Sequence, residues 1–222
     1  MTQQSDWQKP EFDAGDAQVT GREDLYDGFF RAEKLRVKHR LFRGGWSDEL
    51  SRELFRRNEA VGVLLYDPKR DWVGLVEQFR VGALDDPGGP WCMEIVAGMV
   101  EPGESVEAVA RRELQEESGV GEVQLEYICQ YLPSPGACNE SMHLLCGMAD
   151  LTAAGGIHGL EEEQEDIKVH VIPASEALDQ LYRGRFNNAA VLLGLQWLAL
   201  NRPRLRQGGD QIDSMQTRGP AA

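Results

Sequence analysis

Residues 98–120 read Gly98-Met99-Val100-Glu101-Pro102-Gly103-Glu104-Ser105-Val106-Glu107-Ala108-Val109-Ala110-Arg111-Arg112-Glu113-Leu114-Gln115-Glu116-Glu117-Ser118-Gly119-Val120. The pattern predicts a glycine-bearing loop over 98–103 and a helix over 105–117, stopped by Gly119 where a left-handed residue commonly ends a helix. On that helix, spacings of three and four put Glu113, Glu116 and Glu117 on one face. All three also fall in the last turn, where the helix dipole is negative. Like charges so placed cost about 0.2–0.5 kcal/mol per pair, and carboxylates at a helix C-terminus about 0.3–1 kcal/mol each. Arg112 offsets part of this, chiefly toward Glu116, but one cation does not neutralise three carboxylates. A solvated face of an acidic protein would account for the glutamates alone. The loop changes the balance: Gly98, Gly103 and Glu104 bring backbone carbonyls and a further carboxylate to the same place, and hard oxygen donors suit Mg²⁺ or Mn²⁺.

On either side of this stretch the apolar pattern alternates between strands and helices. Residues 61–66 read as a buried strand, 67–71 as a turn, 72–79 as the returning strand and 91–96 as a further strand. Strands are expected over 123–132, 143–148 and 167–172, with a Gly-rich acidic loop over 155–166. Helices are expected over 175–182 and from Asn187-Asn188 to about residue 200, with Pro203 as the stop. Mixed strands and helices indicate an α/β sandwich with a mixed sheet. Residues 26–55 carry short apolar groups among alternating charges. They read as a few strands too thin to bury a core alone, which must pack on the main domain or on a second subunit. The expected organisation is a disordered arm over 1–20, an N-terminal β segment over 21–57, the main domain over 58–202 and a flexible tail over 203–222.

The 222 residues are 41% hydrophobic and 27% charged, ample for a core. Their net charge of −14, from 23 basic and 37 acidic residues, disfavours nucleic acid, and no basic stripe interleaves with aromatics. A small anionic substrate would need local arginines or metal ions against that field. No apolar run approaches a membrane span, and the polar N-terminus lacks the basic and apolar regions of a secretory signal. Cys92, Cys129, Cys138 and Cys146 form no CxxC pair and read as reduced thiols of a cytoplasmic protein.

Residues 98–120 match the 23-residue Nudix box at all nine of its constrained sites: Gly98, Glu104, Arg112, Glu113, Leu114, Glu116, Glu117, Gly119 and Val120. The chain therefore resembles the Nudix hydrolases. That resemblance implies an α/β/α sandwich whose loop, helix and loop grip divalent metal on a diphosphate, with Arg112 orienting the glutamates and Glu104 bracing the helix. Over about residues 26–202 the chain resembles the branch that cleaves ADP-ribose. Ser134-Pro135-Gly136 sets a proline 15 residues past the box, residues 155–167 look like that branch's mobile catalytic loop, and Asn187-Asn188-Ala189-Ala190 opens a similar Leu/Trp-rich helix. Residues 26–57 resemble its N-terminal strands, which are exchanged across a homodimer.

Carried over residue by residue, the resemblance implies two or three Mg²⁺ ions, or Mn²⁺, on the Ala97 carbonyl, Glu113, Glu117 and Glu165. Glu116 and Arg112 would support them, and Glu163 would take a proton from the attacking water. Five carboxylates lie between positions 161 and 166, so composition does not choose between Glu162 and Glu163. Phe29 and Phe30 of the partner subunit would sit by the adenine. Arg52, Glu53, Arg57 and Arg80 would hold base, ribose or phosphate, while Met99, Ser134, Pro135, Gly136 and Glu140 would line the remaining wall. Plainer readings stand beside these: Phe29 and Phe30 as strand core, Arg52 and Arg57 as rim charges. Ala137-Cys138-Asn139 departs from the Gly/Thr/Ser-type sequence expected there, which bears on the terminal ribose site. The expected reaction is Mg²⁺-dependent hydrolysis of ADP-ribose to AMP and ribose 5-phosphate. The rivals are the same fold acting on another nucleoside diphosphate sugar or a diadenosine compound, a catalytically silent ADP-ribose sensor, and an acidic structural protein. The intact carboxylates weigh against the last two.

Overall fold

The computed structural model describes residues 10–216, except for the side chains of Glu163 and of residues 209–216. These residues form two compact units, one from the chain up to Arg57 together with Ser134–Glu140, the other from Asn58–Pro133 and Ser141 onward.

The N-terminal unit is a three-stranded antiparallel sheet of β1 (Ala17–Asp27), β2 (Arg31–His39) and β3 (Leu50–Arg56) in the order β1-β2-β3. Residues 17–20, expected in the disordered arm, open β1: Ala17, Gln18 and Val19 pair with His39, Lys38 and Val37. Pairing with a distant strand supplies the order that local composition does not announce. Within the same arm Ala14–Asp16 form a 3₁₀ turn capped by Asp13, and residues 1–9 lie outside the described residues. Glu33, buried on β2, gathers Arg22 at 3.1 Å, Arg56 at 2.7 Å and Arg31 at 3.6 Å. Residues 134–140 join β3 through a parallel bridge from Phe55 to Cys138.

The second unit holds β4 (Glu59–Asp67), β5 (Trp72–Phe79), β6 (Trp91–Glu94), β7 (Val96–Met99), β8 (Gln124–Tyr131), β9 (Ser141–Met148), β10 (Gly156–His158) and β11 (Ile167–Pro173). Its helices are α1 (Val106–Ser118), α2 (Ala174–Tyr182) and α3 (Ala189–Gln216). The main order is β10-β11-β5-β4-β9-β8, with β6 on β5 and β7 on β4. The β4–β9 pair is parallel and the other pairs are antiparallel, so the sheet is mixed.

Alternation along β4 explains the layers. Val61, Val63 and Leu65 point to one face, where they meet Val109, Ala110 and Leu114 of α1. Leu64 and Tyr66 point to the other, against Ala177 and Leu181 of α2 and Val191, Leu195 and Leu198 of α3. Side chains of a strand alternate between its faces, so one apolar strand feeds two cores. The unit is an α/β/α sandwich.

α3 does not stop at Pro203. Its backbone stays helical to Gln216, with the proline inside. An interior proline costs about 3 kcal/mol, and long-range contacts offset it here. Arg202 pairs with Asp71, Arg204 pairs with Glu126 at 2.6 Å, and Leu205 is buried. Residues 217–222 of the expected tail lie outside the described residues.

Candidate active site

α1 begins with Ser105, whose hydroxyl accepts a hydrogen bond from the Ala108 amide at 3.2 Å, and ends at Gly119 in the left-handed region at φ 68°. Both ends are therefore fixed, and Val109, Ala110 and Leu114, packed with Val61, Val63 and Leu65, set the face that α1 turns to the sheet. The stretch expected as loop after Val96 is in part strand: Val61 pairs with Gly98 and Gly62 with Ala97. That register sets the peptide of Ala97 against the last turn of α1, and Glu117 Oε2 accepts from the Ala97 amide at 3.0 Å. Glu113 lies over Gly98, with its carboxylate in the space a Cβ there would fill.

Glu117 is 2% exposed, and Glu113 is mostly covered. Burial, opposed by the Ala97 hydrogen bond and reinforced by Glu113 and Glu165, raises the Glu117 carboxyl to about 8. Burial likewise raises Glu113 to about 7, with Arg112 pulling down and Glu116 and Glu165 pushing up. Arg112 is the local counter-charge, at 2.9 Å from Glu113, 3.1 Å from Glu116 and 4.0 Å from Glu104. Glu104 also closes the preceding turn by accepting from the Glu101 amide at 3.0 Å. Uncompensated buried carboxylates are costly alone and become favourable beside a cation.

The acidic loop contains more regular structure than expected, in β10 and a 3₁₀ turn over Glu161–Glu163. It is tied to α1, because the Gly159 amide donates to the Glu116 carbonyl at 3.1 Å and the His158 ring covers Gly119. Glu165 accepts from the Leu160 amide at 3.2 Å and feels both Glu113 and Glu117. The side chain of Glu163 lies outside the described residues. Among the described residues, no three His, Cys, Asp or Glu side chains converge closely enough to enclose a metal by themselves. The donor set still fits Mg²⁺, a hard ion that is typically held by one or two carboxylates and completes its shell with water and substrate phosphate.

Arg80 and Met99 belong to this same unit. Met99 is part-exposed on β7 opposite Ala60. Arg80 meets Glu94 through Nε at 2.9 Å and Nη2 at 2.7 Å. Glu94 also accepts from Asn188 at 2.8 Å and Gln78 at 3.3 Å. Sequence reading missed Glu94 and read Asn188 only as part of the segment that opens the last helix; the available signal for Glu94 was one acid in the apolar run Trp91-Cys92-Met93-Glu94-Ile95-Val96.

The other expected substrate residues belong to the N-terminal unit, and four of them cluster. Phe29 and Phe30 stack edge-on at 4.7 Å, Arg57 lies over Phe30 at 4.6 Å, and Arg57 pairs with Glu140 at 3.2 Å. Asn139 clamps the Arg57 backbone, accepting from its amide at 2.8 Å and donating to its carbonyl at 3.1 Å. Ser134, Pro135 and Gly136 form the exposed turn before this clamp, where the Cys138 amide returns to the Ser134 carbonyl at 3.0 Å. Arg52 and Glu53 lie apart from the cluster on exposed β3, Arg52 donating to the Ser51 carbonyl at 2.7 Å and Glu53 paired in register with Lys34.

The NUDIX domain family matches over residues 56–193. A protein named ADP-ribose pyrophosphatase from Escherichia coli (strain K12) is 45% identical over 195 residues, covering 88% of this chain and 93% of the relative. One of the same name from Haemophilus influenzae is 44% identical over 199 residues, covering 88% and 92%. A crystal structure of an ADP compounds hydrolase aligns with a TM-score of 0.60 at 22% identity, over 82% of this chain and 94% of that one, which shows likeness of fold.

Proposed function

The chain belongs to the NUDIX domain family, and we propose that it is a Mg²⁺-dependent hydrolase that splits the diphosphate of ADP-ribose into AMP and ribose 5-phosphate. The observation that carries this reading is the pair Glu113 and Glu117, one helical turn apart, the first mostly covered and the second buried, seated on the Gly98 and Ala97 backbone. Similarity to proteins named for ADP-ribose supports the substrate.

Mg²⁺, or Mn²⁺ in its place, would be held by the Ala97 carbonyl, Glu113, Glu117 and Glu165. When bound it supplies charge neutralisation at the diphosphate and acidifies water. The protein's own work is positioning. Arg112 keeps Glu113 and Glu116 aligned, the loop is pinned at Gly159, and Glu163 on that loop is proposed as the base. Glu163 takes a proton from water as the water oxygen bonds to phosphorus; the bridging P–O bond breaks, and its electron pair leaves on the departing phosphate. Arg52, Glu53, Arg57 and Arg80 are assigned to base, ribose or phosphate, Phe29 and Phe30 of the partner subunit to the adenine, and Met99, Ser134, Pro135, Gly136 and Glu140 to the remaining wall.

The reading includes a homodimer exchanging the β1–β3 sheet, supported by Phe29 and Phe42 at 83% and 85% exposed, and a cytoplasmic location. No described helix is long and apolar enough to cross a membrane.

The test is product analysis of ADP-ribose incubated with Mg²⁺ or with EDTA, beside a panel of other nucleoside diphosphate sugars and a diadenosine compound. AMP and ribose 5-phosphate released from ADP-ribose, and only with the cation, is the expected result. Faster turnover of a different panel member would replace the substrate, and tight ADP-ribose binding without turnover would favour a sensor.

A further inference from the structure

Glu117 and Arg80 attract one another through space, yet Arg80 gives its hydrogen bonds to Glu94 and the Ala97 amide is the donor at Glu117. Glu94 ends β6 three residues before Ala97, and the same β5–β6 register that pairs Val76 with Glu94 sets Arg80 just past the end of β5. A guanidinium between two carboxylates takes the better-organised one. Glu94 is buried and is fixed from two further sides, by the Asn188 amide at 2.8 Å and the Gln78 amide at 3.3 Å. Asn188 is itself immobile, because its carbonyl oxygen caps α3 by accepting from Ala190 at 2.9 Å. Glu94 thus presents a preorganised acceptor for the fork formed by Nε and Nη2 of Arg80.

We infer that Glu94 is a positioning residue that holds Arg80 off Glu117, leaving Glu117 free for a divalent cation and the outer face of Arg80 free for substrate. The inference rests on the proposed role of Glu117. Without Glu94, Glu117 is an acid whose charge already acts on Arg80, and an internal ion pair there would compete with the metal.

The experiment is titration of Mn²⁺ alone, without nucleotide, followed calorimetrically. Glu94→Gln keeps the shape and the Asn188 contact but removes the charge; its Kd for Mn²⁺ rises about tenfold, the lower end of what supporting residues around metal ligands typically contribute. Adding Arg80→Met to Glu94→Gln restores wild-type affinity, because the competitor is gone, and a merely damaged fold would not recover in this way. Should Glu94→Gln not fold, Arg80→Met alone decides: its affinity for Mn²⁺ equals or exceeds that of the wild type. Unchanged affinity in Glu94→Gln, no recovery in the double variant, or weaker binding in Arg80→Met overturns the positioning role. A wild-type chain that binds no Mn²⁺ overturns the cation site itself.

Discussion

The carboxylate of Glu113 fills the space that a side-chain carbon on Gly98 would need. Gly98 is on β7 with ordinary extended backbone, so alanine there strains no dihedral angle but must push Glu113 aside. Gly98→Ala is therefore expected to lower kcat about a hundredfold, the scale of effect that follows from a displacement of about 1 Å in a catalytic group. Circular dichroism and the thermal midpoint should stay near those of the wild type. Full activity in this variant would show that Glu113 need not sit where it does.

Glu163→Gln removes a base while keeping size and hydrogen-bonding capacity. General-base catalysis typically contributes about 10²–10⁴-fold, so kcat should fall by that amount while the Kd of a non-hydrolysable ADP-ribose analogue changes less than threefold, an order-of-magnitude allowance for losing one charge from the site. Glu162→Gln is the control, because both acids share the 3₁₀ turn Glu161–Glu163. If Glu162→Gln is the crippled variant, the base is Glu162.

Much of this was legible in the chain because it is local. The helical spacing and Gly119 marked α1, the continuous apolar run from Val61 to Tyr66 marked β4, and three glutamates in one helical turn marked the site. What escaped depends on partners far away in sequence. The first residues of β1 are polar and become a strand only by pairing with β2. β7 is four residues long and reads as loop until it is laid beside β4. Glu94 was read only as part of a strand over 91–96, and its place beside Arg80, Gln78 and Asn188 depends on residues far away in sequence.

The metal-free protein should lose stability as pH rises. Burial holds the Glu113 and Glu117 carboxyls at about 7 and about 8, above the unfolded value of 4.5. The folded state therefore binds more protons than the unfolded one between those limits, and stability present below about pH 4.5 is lost as pH climbs through 7 to 8. In EDTA the thermal midpoint should drop from pH 5.5 to pH 8.5, and Glu113→Gln with Glu117→Gln should flatten that slope. Saturating Mg²⁺ should flatten or reverse it, since the ion binds the ionised form. A wild-type slope no steeper than that of the double variant would contradict the burial of these groups.

Asp71 carries the helix extension beyond Pro203. It sits at φ 60° in the β4–β5 turn, its carbonyl accepts from the Ala174 amide at 2.8 Å, and its carboxylate receives Arg202 and the Tyr66 hydroxyl at 2.8 Å. Arg202 holds that carboxyl below its usual range. Asparagine tolerates the same left-handed backbone, so Asp71→Asn removes the charge without forcing the turn. Losing charge-assisted bonds at this half-buried site should cost about 1.5–3 kcal/mol, a fall in thermal midpoint of about 3–12 °C for a chain of this length. Activity per folded molecule should not change, because Asp71 touches none of the residues assigned to catalysis. Loss of activity at unchanged stability would mean that α3 reports to the site by a route other than its anchoring. Proteolysis offers a separate reading: with Arg202 released, cleavage after Arg204 or Arg206 should become faster, and equal rates in both proteins would show that Asp71 does not hold this end of the helix.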